Sequence, residues 1–147
     1  MPSIRGASME DFPGILAIVD ANKDELGLVG QHAKWLTERI YRGEVFIADD
    51  GNMIMGFVCF QHELHSEDAR TNVYYLCTDV AYRGLGVGRL LMEAVAVDAR
   101  LYGNEFITLK CPEHLLANHF YRRLGYELEG SEADSRGVHL NVWRLKL

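Results

Sequence analysis

Arg83-Gly84-Leu85-Gly86-Val87-Gly88 is the stretch that decides the fold of this 147-residue chain. It follows the apolar run from Val73 to Thr78, which is typical of a strand, and it precedes a helical pattern that begins near Val87. A helix leaves its first N–H groups unpaired and carries about half a positive charge at that end, so anions bind there. Glycines remove the side chains that would keep a pyrophosphate away from those N–H groups. The stretch therefore predicts a strand, a turn and a helix start that together form an anion site.

The spacing of the glycines excludes two other phosphate-binding loops. A dinucleotide fingerprint needs a glycine where the chain has Arg89, and an acidic residue at the end of the next strand, where Lys110 stands. A Walker loop needs a lysine followed by Ser or Thr, and no such pair follows these glycines. The remaining pattern is Arg-x-x-Gly-x-Gly, at Arg83, Gly86 and Gly88.

This pattern resembles the acyl-CoA pyrophosphate loop of the GNAT superfamily of N-acetyltransferases. A second segment, from Ala117 to Glu127, is similar to the family's A-x-x-F/L-Y-x-x-L/M-G-F/Y motif, in which a helix carries Asn and Tyr toward the CoA sulfur and the phosphopantetheine arm. The opening from Ile4 to Pro13 resembles the family's first strand and helix entry. The resemblance spans essentially the whole chain, and it implies an acyltransferase that uses acetyl-CoA as co-substrate and no metal.

Composition and charge narrow the class of protein further. With 48% hydrophobic residues, the chain is expected to form a single GNAT acetyltransferase domain over residues 1–147. No apolar run approaches the ~18 residues of a membrane span and no signal-peptide pattern is present, so we expect a cytoplasmic protein without a membrane partner. Cys59, Cys77 and Cys111 lie in apolar runs without paired spacing, which predicts free buried thiols. The net charge of −6 argues against nucleic acid and favours a cationic acceptor.

The hydrophobic pattern predicts an α/β (α+β) fold of the GNAT type, with a twisted mixed, mostly antiparallel sheet of about six or seven strands and about four helices on both faces. In chain order the predicted elements are a strand at Ser3–Arg5, a helix from Ser8 to Asp20, a helix from His32 to Tyr41 ended by Gly43, strands at Glu44–Asp49 and Met53–Glu63 around the turn Asp50-Gly51-Asn52, the central strand, a helix from Val87 ended by Gly103, a strand at Phe106–Leu109, a helix opened by Pro112 and stopped by Gly125, and a hairpin of Tyr126–Glu129 with Val138–Leu145. The long helix places its apolar residues on the sheet: Leu90, Leu91, Ala94, Val95 and Leu101. Polar connections at Asn22–Gln31 and Gln61–Asn72 join these elements, and the resemblance implies that the first of them borders the acceptor pocket.

Acetyl transfer to an amine needs a neutral amine and a proton for the leaving thiolate. An ammonium group of pKa ~10.4 is neutral in about one of 10^3.4 molecules at pH 7, a cost of roughly 4.6 kcal/mol. Proton donation from a tyrosine of pKa ~10 to a thiolate of pKa ~8.5 is uphill by about 2 kcal/mol, and a small depression of the tyrosine pKa would close the gap. The resemblance assigns this general-acid role to Tyr121.

The helix that carries Tyr121 presents two faces. Leu116, Phe120 and Leu124 form an apolar row, whereas Asn118, Tyr121 and Arg122 share another face at three- and four-residue spacing. Plain packing in the core is the alternative interpretation of Tyr121, and an ordinary exposed amide is the alternative interpretation of Asn118.

The resemblance also implies the residues that bind the co-substrate. They are Thr78, Asp79, Val80, Arg83, Gly84, Gly86, Val87, Gly88, Arg89, Asn118 and Tyr121. Guanidinium groups bind phosphate with two parallel hydrogen bonds, although Arg83 and Arg89 also fit solvated surface positions. The backbone from Thr78 to Val80 is expected to pair with the pantetheine amides like an added strand. Asp79 can alternatively cap the loop backbone.

The general base is not identified by the sequence. Many relatives carry an acidic residue on the central strand at the position of Tyr75, with Tyr74 before it in this chain. The remaining candidates are Asp79, Glu63, His62 and His65, and a water chain to bulk solvent would also serve. His62 and His65 point to opposite faces of a strand, so no metal site is predicted there.

The sequence thus predicts direct transfer of an acetyl group from acetyl-CoA to a primary amine, with a small cationic metabolite as acceptor because Glu63, Glu67 and Asp68 add local negative charge. One alternative is a protein or peptide N-acetyltransferase, although Glu129–Val138 lacks the tyrosines with which peptide-acetylating relatives grip a backbone. Another is a non-catalytic acyl-CoA sensor or partner module, which the missing strand acid favours. Edge strands near the C-terminus allow a homodimer.

Overall fold

The computed structural model describes residues 2–22, 33–63 and 69–147. In these ranges the chain forms β1 (Ser3–Gly6), α1 (Phe12–Ala21), α2 (Ala33–Tyr41), β2 (Val45–Asp49), β3 (Ile54–His62), β4 (Arg70–Thr78), α3 (Val87–Tyr102), β5 (Phe106–Pro112), α4 (Ala117–Arg123), β6 (Glu127–Ala133) and β7 (His139–Lys146). Short 3₁₀ turns at Met9–Asp11 and Val80–Tyr82 precede α1 and α3.

The strands form one seven-stranded sheet in the order β1-β2-β3-β4-β5-β7-β6. Among the described strands, every neighbouring pair is antiparallel except β4 and β5. The insertion of β7 between β5 and β6 leaves β1 and β6 as the edges. The predicted mixed, mostly antiparallel sheet is therefore confirmed.

Helices cover both faces of the sheet, as predicted. On one face, α3 repeats buried residues every fourth position, and Leu91 packs in a core with Phe60 and Ile107. On the other face, Ile15 of α1 and Leu36 of α2 pack with residues of β2 and β3. Each fully buried Leu, Ile or Phe side chain stabilises the folded state by about 1.5–3 kcal/mol relative to an exposed one. The expectation for Leu101 is wrong: its side chain is 82% exposed, because the buried stripe of α3 continues through Ala99 instead.

Most predicted boundaries are confirmed. Gly43 and Gly103 have φ of 74° and 92° after α2 and α3, the left-handed conformation that ends helices. Pro112 does not open a helix, because it is the last residue of β5, which still pairs with Leu140 of β7. Of the polar connections predicted at Asn22–Gln31 and Gln61–Asn72, residues 23–32 and 64–68, with His32, His65, Glu67 and Asp68, lie outside the described residues. The second connection is shorter than predicted, because β3 continues to His62 and β4 already begins at Arg70.

All three cysteines are buried and form no disulfide, which confirms the predicted free thiols. Burial raises the pKa of the Cys59 thiol, so it remains protonated at neutral pH. Over the described ranges, the chain has no helix with the length and apolar character needed to cross a bilayer.

Candidate active site

The site begins where β4 and β5 part. Their parallel pairing runs from Arg70–Phe106 to Val73–Leu109, and between these two described strands it goes no further. At the same place β4 has a bulge, because Phe60 of β3 lies opposite Val73 and Cys59 lies opposite Tyr75, which leaves Tyr74 as the extra residue. A bulge bends its strand and increases the local twist. β4 and β5 therefore diverge after Val73 and open a cleft between them.

The cleft has a volume of about 800 Å³ and lies between the end of β4, the glycine loop, the start of α3 and α4. Its lining residues are Leu76, Cys77, Thr78, Tyr82, Arg83, Gly84, Gly86, Val87, Gly88, Arg89, His114, Leu115, Leu116, Ala117, Phe120, Tyr121 and Arg123. The structure thus brings together most of the predicted co-substrate residues. It does not bring Asp79, Val80 and Asn118 to this cleft.

The free edge of β4 supplies backbone groups to the cleft. The Asp79 N–H donates to the Met55 carbonyl of β3 at 2.8 Å. Because backbone groups alternate in direction along a strand, those of Leu76 and Thr78 face away from β3 and toward the cleft. The expected strand-like edge at Thr78–Val80 is corrected in one respect: Val80 starts a 3₁₀ turn and is 61% exposed, so the strand edge ends at Thr78.

The glycine loop leaves a row of backbone amides without partners. Gly84 and Gly86 both have φ of 80°, and Gly86 is the N-cap of α3. The first bond of the helix runs from the Leu90 N–H to the Gly86 carbonyl at 3.1 Å. Among the described residues, the amides of residues 84–89 find no carbonyl or side-chain acceptor. Such a row of N–H groups at a helix N-terminus is suited to a phosphate or pyrophosphate.

Asp79 has the capping role that the sequence left open. Its carboxylate accepts a hydrogen bond from the Ala81 N–H at 3.0 Å and starts the 3₁₀ turn. It borders a separate pocket that also contains Arg5 and Asp49. Asp79 is therefore positioned to shape the loop rather than to contact a ligand in the cleft.

Two of the three arginines that line the cleft flank the glycine loop. Arg83 Nη2 donates to Oδ1 of Asn22, which ties the loop to the end of α1. Arg89 Nε donates to Glu93 Oε1 at 3.0 Å on the surface of α3, and the Arg89 side chain is 69% exposed. Both guanidinium groups already have a protein partner, so a phosphate would add to or replace these bonds.

Tyr121 lies in the wall of the cleft and is the buried residue of α4, at 8% exposure. Its ring packs edge-on against Phe120 and Tyr126, with centroids 5.3 and 5.9 Å away. Desolvation, and to a lesser degree the nearby Cys111, raises the pKa of Tyr121. The direction is opposite to the small depression that would close the gap to the thiolate pKa, so in this structure the phenol is a firmly protonated but weaker acid.

The predicted apolar row of α4 is partly wrong. Leu116 is 82% exposed and lies at the cleft, while Phe120 is half-buried against Gly88 of α3. A Cβ added to Gly88 would stand 3.3 Å from Cζ of Phe120, so glycine permits the close approach of the two helices. Leu116 is the N-cap of α4 and lies outside the helix, so it does not share the buried face on which Tyr121 lies.

Asn118 does not reach the cleft. Its Nδ2 donates to the carbonyls of Pro112 and Leu115 at 2.9 and 2.7 Å. Its Oδ1 accepts from Asn141 Nδ2 at 3.1 Å and from Trp143 Nε1 at 2.9 Å. Because both N–H donors and both lone pairs have protein partners, Asn118 has a structural role, and its expected contact with pantetheine stays a prediction.

Sequence reasoning missed several cleft residues. They are Leu76, Cys77, Tyr82, His114, Leu115, Leu116, Ala117, Phe120 and Arg123. His114 to Leu116 form the turn between β5 and α4. Their place directly after a strand end and before the motif helix was the available signal, since loops at strand ends commonly carry binding residues.

A second pocket, which we call the seam pocket, lies over the β4–β5 seam and has a volume of about 250 Å³. Its lining residues are Arg70, Asn72, Val73, Tyr74, Thr108, Leu109, Lys110, Glu129 and Val142. Val73 and Leu109 point into the core under α3, so the alternating Asn72 and Thr108 point to the opposite face. The seam pocket and the cleft therefore open on opposite faces of the sheet, and the seam pocket extends along β4 as far as Val73 and Tyr74, where β4 and β5 part.

Glu63, one of the candidate bases, adjoins the seam pocket. Its Oε1 accepts from Asn72 Nδ2 at 2.7 Å and from the Tyr74 hydroxyl at 3.2 Å. The Tyr74 ring packs edge-on against Trp35 of α2 at 5.0 Å. Burial, and then the charge of Glu63, raises the pKa of Tyr74.

His62 lies elsewhere. Its ring nitrogens contact Thr71 Oγ1 at 2.8 Å and Asp98 Oδ2 at 2.9 Å, and its ring stacks on Tyr102. This network joins β3 and β4 to the C-terminal part of α3, away from the cleft. His62 is therefore removed from the candidate bases. Nowhere in residues 2–22, 33–63 and 69–147 do three His, Cys, Asp or Glu side chains form a group that could hold a metal ion.

The sheet that parts after Val73, the glycine loop and the tyrosine of α4 together define an acyl-CoA-dependent acyltransferase fold. A family model described as "Acetyltransferase (GNAT) domain" matches residues 41–128. The chain belongs to this family.

The chain is similar in sequence to a curated relative and similar in fold to solved structures whose names mention different small molecules and peptides. "Probable N-acetyltransferase 14" of Danio rerio is 34% identical over 97 residues, which are 62% of this chain and 32% of that protein. The chain thus spans about a third of the length of the curated relative it matches. The crystal structure of agmatine N-acetyltransferase superposes with a TM-score of 0.80 at 16% identity, over 99% of both chains. A chain of the NatC complex bound to Gag peptide and CoA superposes with a TM-score of 0.83 at 18% identity, over 99% of this chain and 98% of that one.

Proposed function

We propose that this chain is an N-acetyltransferase that moves an acetyl group from acetyl-CoA directly to the primary amine of a small acceptor. The observation that carries the proposal is the row of unpartnered amides at residues 84–89, at the mouth of a cleft whose wall contains Tyr121. Membership of the acetyltransferase family supports the same chemistry. The co-substrate supplies an acetyl group activated as a thioester.

The residues present fit such a co-substrate. We propose that the amides of residues 84–89 bind the pyrophosphate, since no Cβ at Gly84 or Gly86 narrows the approach to them. Arg83 and Arg89 add positive charge at the same end of the cleft. The outward backbone groups of Leu76 and Thr78 can pair with the amides of the pantetheine arm, in the manner of an added strand.

Tyr121 is proposed to protonate the leaving thiolate. It lies deep in the cleft wall, and burial keeps its phenol protonated at neutral pH. Its raised pKa makes the transfer more uphill than the ~2 kcal/mol of unperturbed groups. A bound, desolvated thiolate is also a stronger base than one in water, so the loss of solvent acts on donor and acceptor in the same direction.

The seam pocket is proposed as the acceptor site. The seam pocket lies on the face of the sheet opposite the cleft and extends to the point where β4 and β5 part. An amine bound there approaches the end of the pantetheine arm. Glu63 and Tyr74 provide oxygen atoms that can accept hydrogen bonds from the amine on that side. Its volume of about 250 Å³ favours a small acceptor over a folded protein segment.

Three further expectations remain proposals. We propose that residues 1–147 form a single domain and that the protein works in the cytoplasm, where its three free thiols remain reduced.

A homodimer also stays a prediction. Every residue of the edge strand β6 is exposed, and three of them are glutamates, a pattern that protects edges from pairing. Sedimentation of the purified protein measures the association state.

The test of the proposed function is thiol release from acetyl-CoA, measured with a panel of polyamines, aminoglycosides, amino acids, amine metabolites and short peptides. We expect release with one chemical class of acceptor. In the Tyr121→Phe variant, kcat should fall while the calorimetric affinity for CoA is retained, because only the proton donor is removed. Tight binding of acetyl-CoA without release for any acceptor would instead indicate a sensor or partner module.

A further inference from the structure

We propose that Arg70 binds an anionic group of the acceptor, so that the substrate is an amine that also carries a carboxylate or a phosphate. The inference rests on the proposed function and refines its acceptor. It replaces the cationic acceptor that the net charge favours.

Arg70 lines the seam pocket together with Asn72 and Tyr74. It is the first residue of β4 and lies opposite Phe106 of β5, at the start of the parallel seam. The side chains of Asn72 and Thr108, which are hydrogen-bonded to each other, lie between it and the place where the strands part. Arg70 is therefore at the end of the acceptor pocket remote from the proposed reaction centre.

The other described charges at this pocket are compensated by protein partners. Lys110 Nζ lies 2.5 Å from Oε1 of Glu132. Glu129 Oε1 accepts from Arg144 at 3.0 Å. Glu63 accepts from Asn72 and Tyr74. The guanidinium of Arg70 is the exception, since no hydrogen bond or ion pair joins it to any described residue.

The Nε of Arg70 is buried and has no hydrogen-bond partner in the described part of the chain. A buried donor without a partner is costly, and a planar guanidinium matches the geometry of a carboxylate or phosphate with two parallel bonds. An anionic group in the seam pocket would satisfy this donor. The net charge of −6 does not argue against binding of an anionic acceptor, because exposed charges beyond about 8 Å are largely screened at physiological salt.

The position of Arg70 also limits the shape of the acceptor. Parallel pairing ends at Val73, three residues further along β4. At about 3.3 Å per residue this is a separation of roughly 10 Å between the two backbone positions. The acceptor then needs several bonds between amine and anion, as in ω-amino acids, which are longer than an α-amino acid.

The test uses acceptors matched in length but not in charge. Thiol release from acetyl-CoA is measured with 4-aminobutyrate and 6-aminohexanoate, with diamines of the same chain lengths, and with 2-aminoethyl phosphate as the phosphate-bearing amine. We expect the wild-type kcat/KM for the best anionic acceptor to exceed that of the matched diamine by about ten- to a hundredfold, the range of a charged hydrogen bond. The comparison of carboxylate with phosphate identifies the anion.

Variants at Arg70 then assign the preference. Arg70→Gln should bring the anionic acceptor and the diamine to within about twofold of each other, while the KM for acetyl-CoA stays unchanged. Arg70→Lys keeps the charge and should retain part of the preference. The same Gln substitution at Arg136, an exposed residue paired with Asp134 in the β6–β7 turn, should change nothing. Calorimetric titration of the preferred acceptor in the presence of CoA should show weakened binding for Arg70→Gln alone.

Two results would overturn the inference in different ways. Preference for diamines in the wild type, with no effect of Arg70→Gln, would refute the role of Arg70 and leave the acetyltransferase proposal intact. Absence of release with every amine, despite measurable acetyl-CoA binding, would refute the proposed function and this inference with it.

Discussion

The side-chain oxygen of Asn118 accepts a hydrogen bond from the indole Nε1 of Trp143 at 2.9 Å, and this contact ties α4 to β7. Trp143 is 1% exposed, so its N–H has no access to water. The same amide also donates to the carbonyl of Pro112 at the end of β5. The motif asparagine therefore fixes the helix that carries Tyr121 against the two strands beside it.

The Asn118→Ala variant should be less stable than the wild type by about 1–3 kcal/mol, because the buried N–H of Trp143 loses its acceptor. Urea unfolding followed by tryptophan fluorescence measures the difference. His119→Ala, at the exposed neighbouring position of the same helix, is the matched control and should stay within about 0.5 kcal/mol of the wild type. Unchanged stability combined with weaker CoA binding would return Asn118 to a direct ligand role.

Gly86 and Gly103 flank the two ends of α3 in the same left-handed conformation, with φ of 80° and 92° and open space at each Cβ position. Replacement by Glu should strain both backbones similarly, by about 1–2 kcal/mol. Only Gly86 adjoins the unpartnered amides, so Gly86→Glu should abolish CoA binding and Gly103→Glu should preserve it. Isothermal calorimetry with CoA compares them, and equal affinities would reject the pyrophosphate site.

The parts of the fold that follow from local sequence were predictable. The sequence predicts helix α3 from Val87 because apolar residues recur at three- and four-residue spacing up to Gly103, which ends the helix, and both signals are short-range. The glycine loop itself was found for the same reason. Pro112 misled the interpretation of β5, because pairing with β7 extends that strand beyond its local pattern.

The cleft was only partly predictable, because it depends on contacts between distant segments. The bulge at Tyr74 and the parting of β4 from β5 require the pairing of three strands, which no single segment encodes. The partners of the Asn118 side-chain oxygen come from β7, more than twenty residues further along the chain. Residue type gave the chemistry of Tyr121 but not its burial, and burial sets the direction of its pKa shift.

The buried tyrosines predict how stability depends on pH. Burial raises the pKa of both Tyr121 and Tyr126, so both stay protonated in the folded protein while the unfolded chain loses these protons above pH ~10. The unfolded state then binds fewer protons, and the free energy of unfolding should fall above that pH by up to about 1.4 kcal/mol per pH unit for each residue. Urea titrations between pH 8 and 11 measure this slope. A flat profile would show that both phenols ionise freely in the folded state.

The hydroxyl of Tyr74 and the carboxylate of Glu63, which lie 3.2 Å apart, predict a kinetic effect confined to the acceptor. Tyr74→Phe keeps the ring that packs on Trp35, and Glu63→Gln keeps the hydrogen-bonded shape without the charge. Each should lower kcat/KM for the amine by about tenfold and leave the KM for acetyl-CoA unchanged, because this pair lies on the face of the sheet opposite the cleft. Tyr102→Phe, which retains the stacking on His62, is the control and should have no effect. A rise in the KM for acetyl-CoA of equal size would place the pair on the co-substrate side. A loss of kcat/KM that grows as the pH falls would show that deprotonation of the amine limits the rate, since the ammonium form predominates well below its pKa of ~10.4.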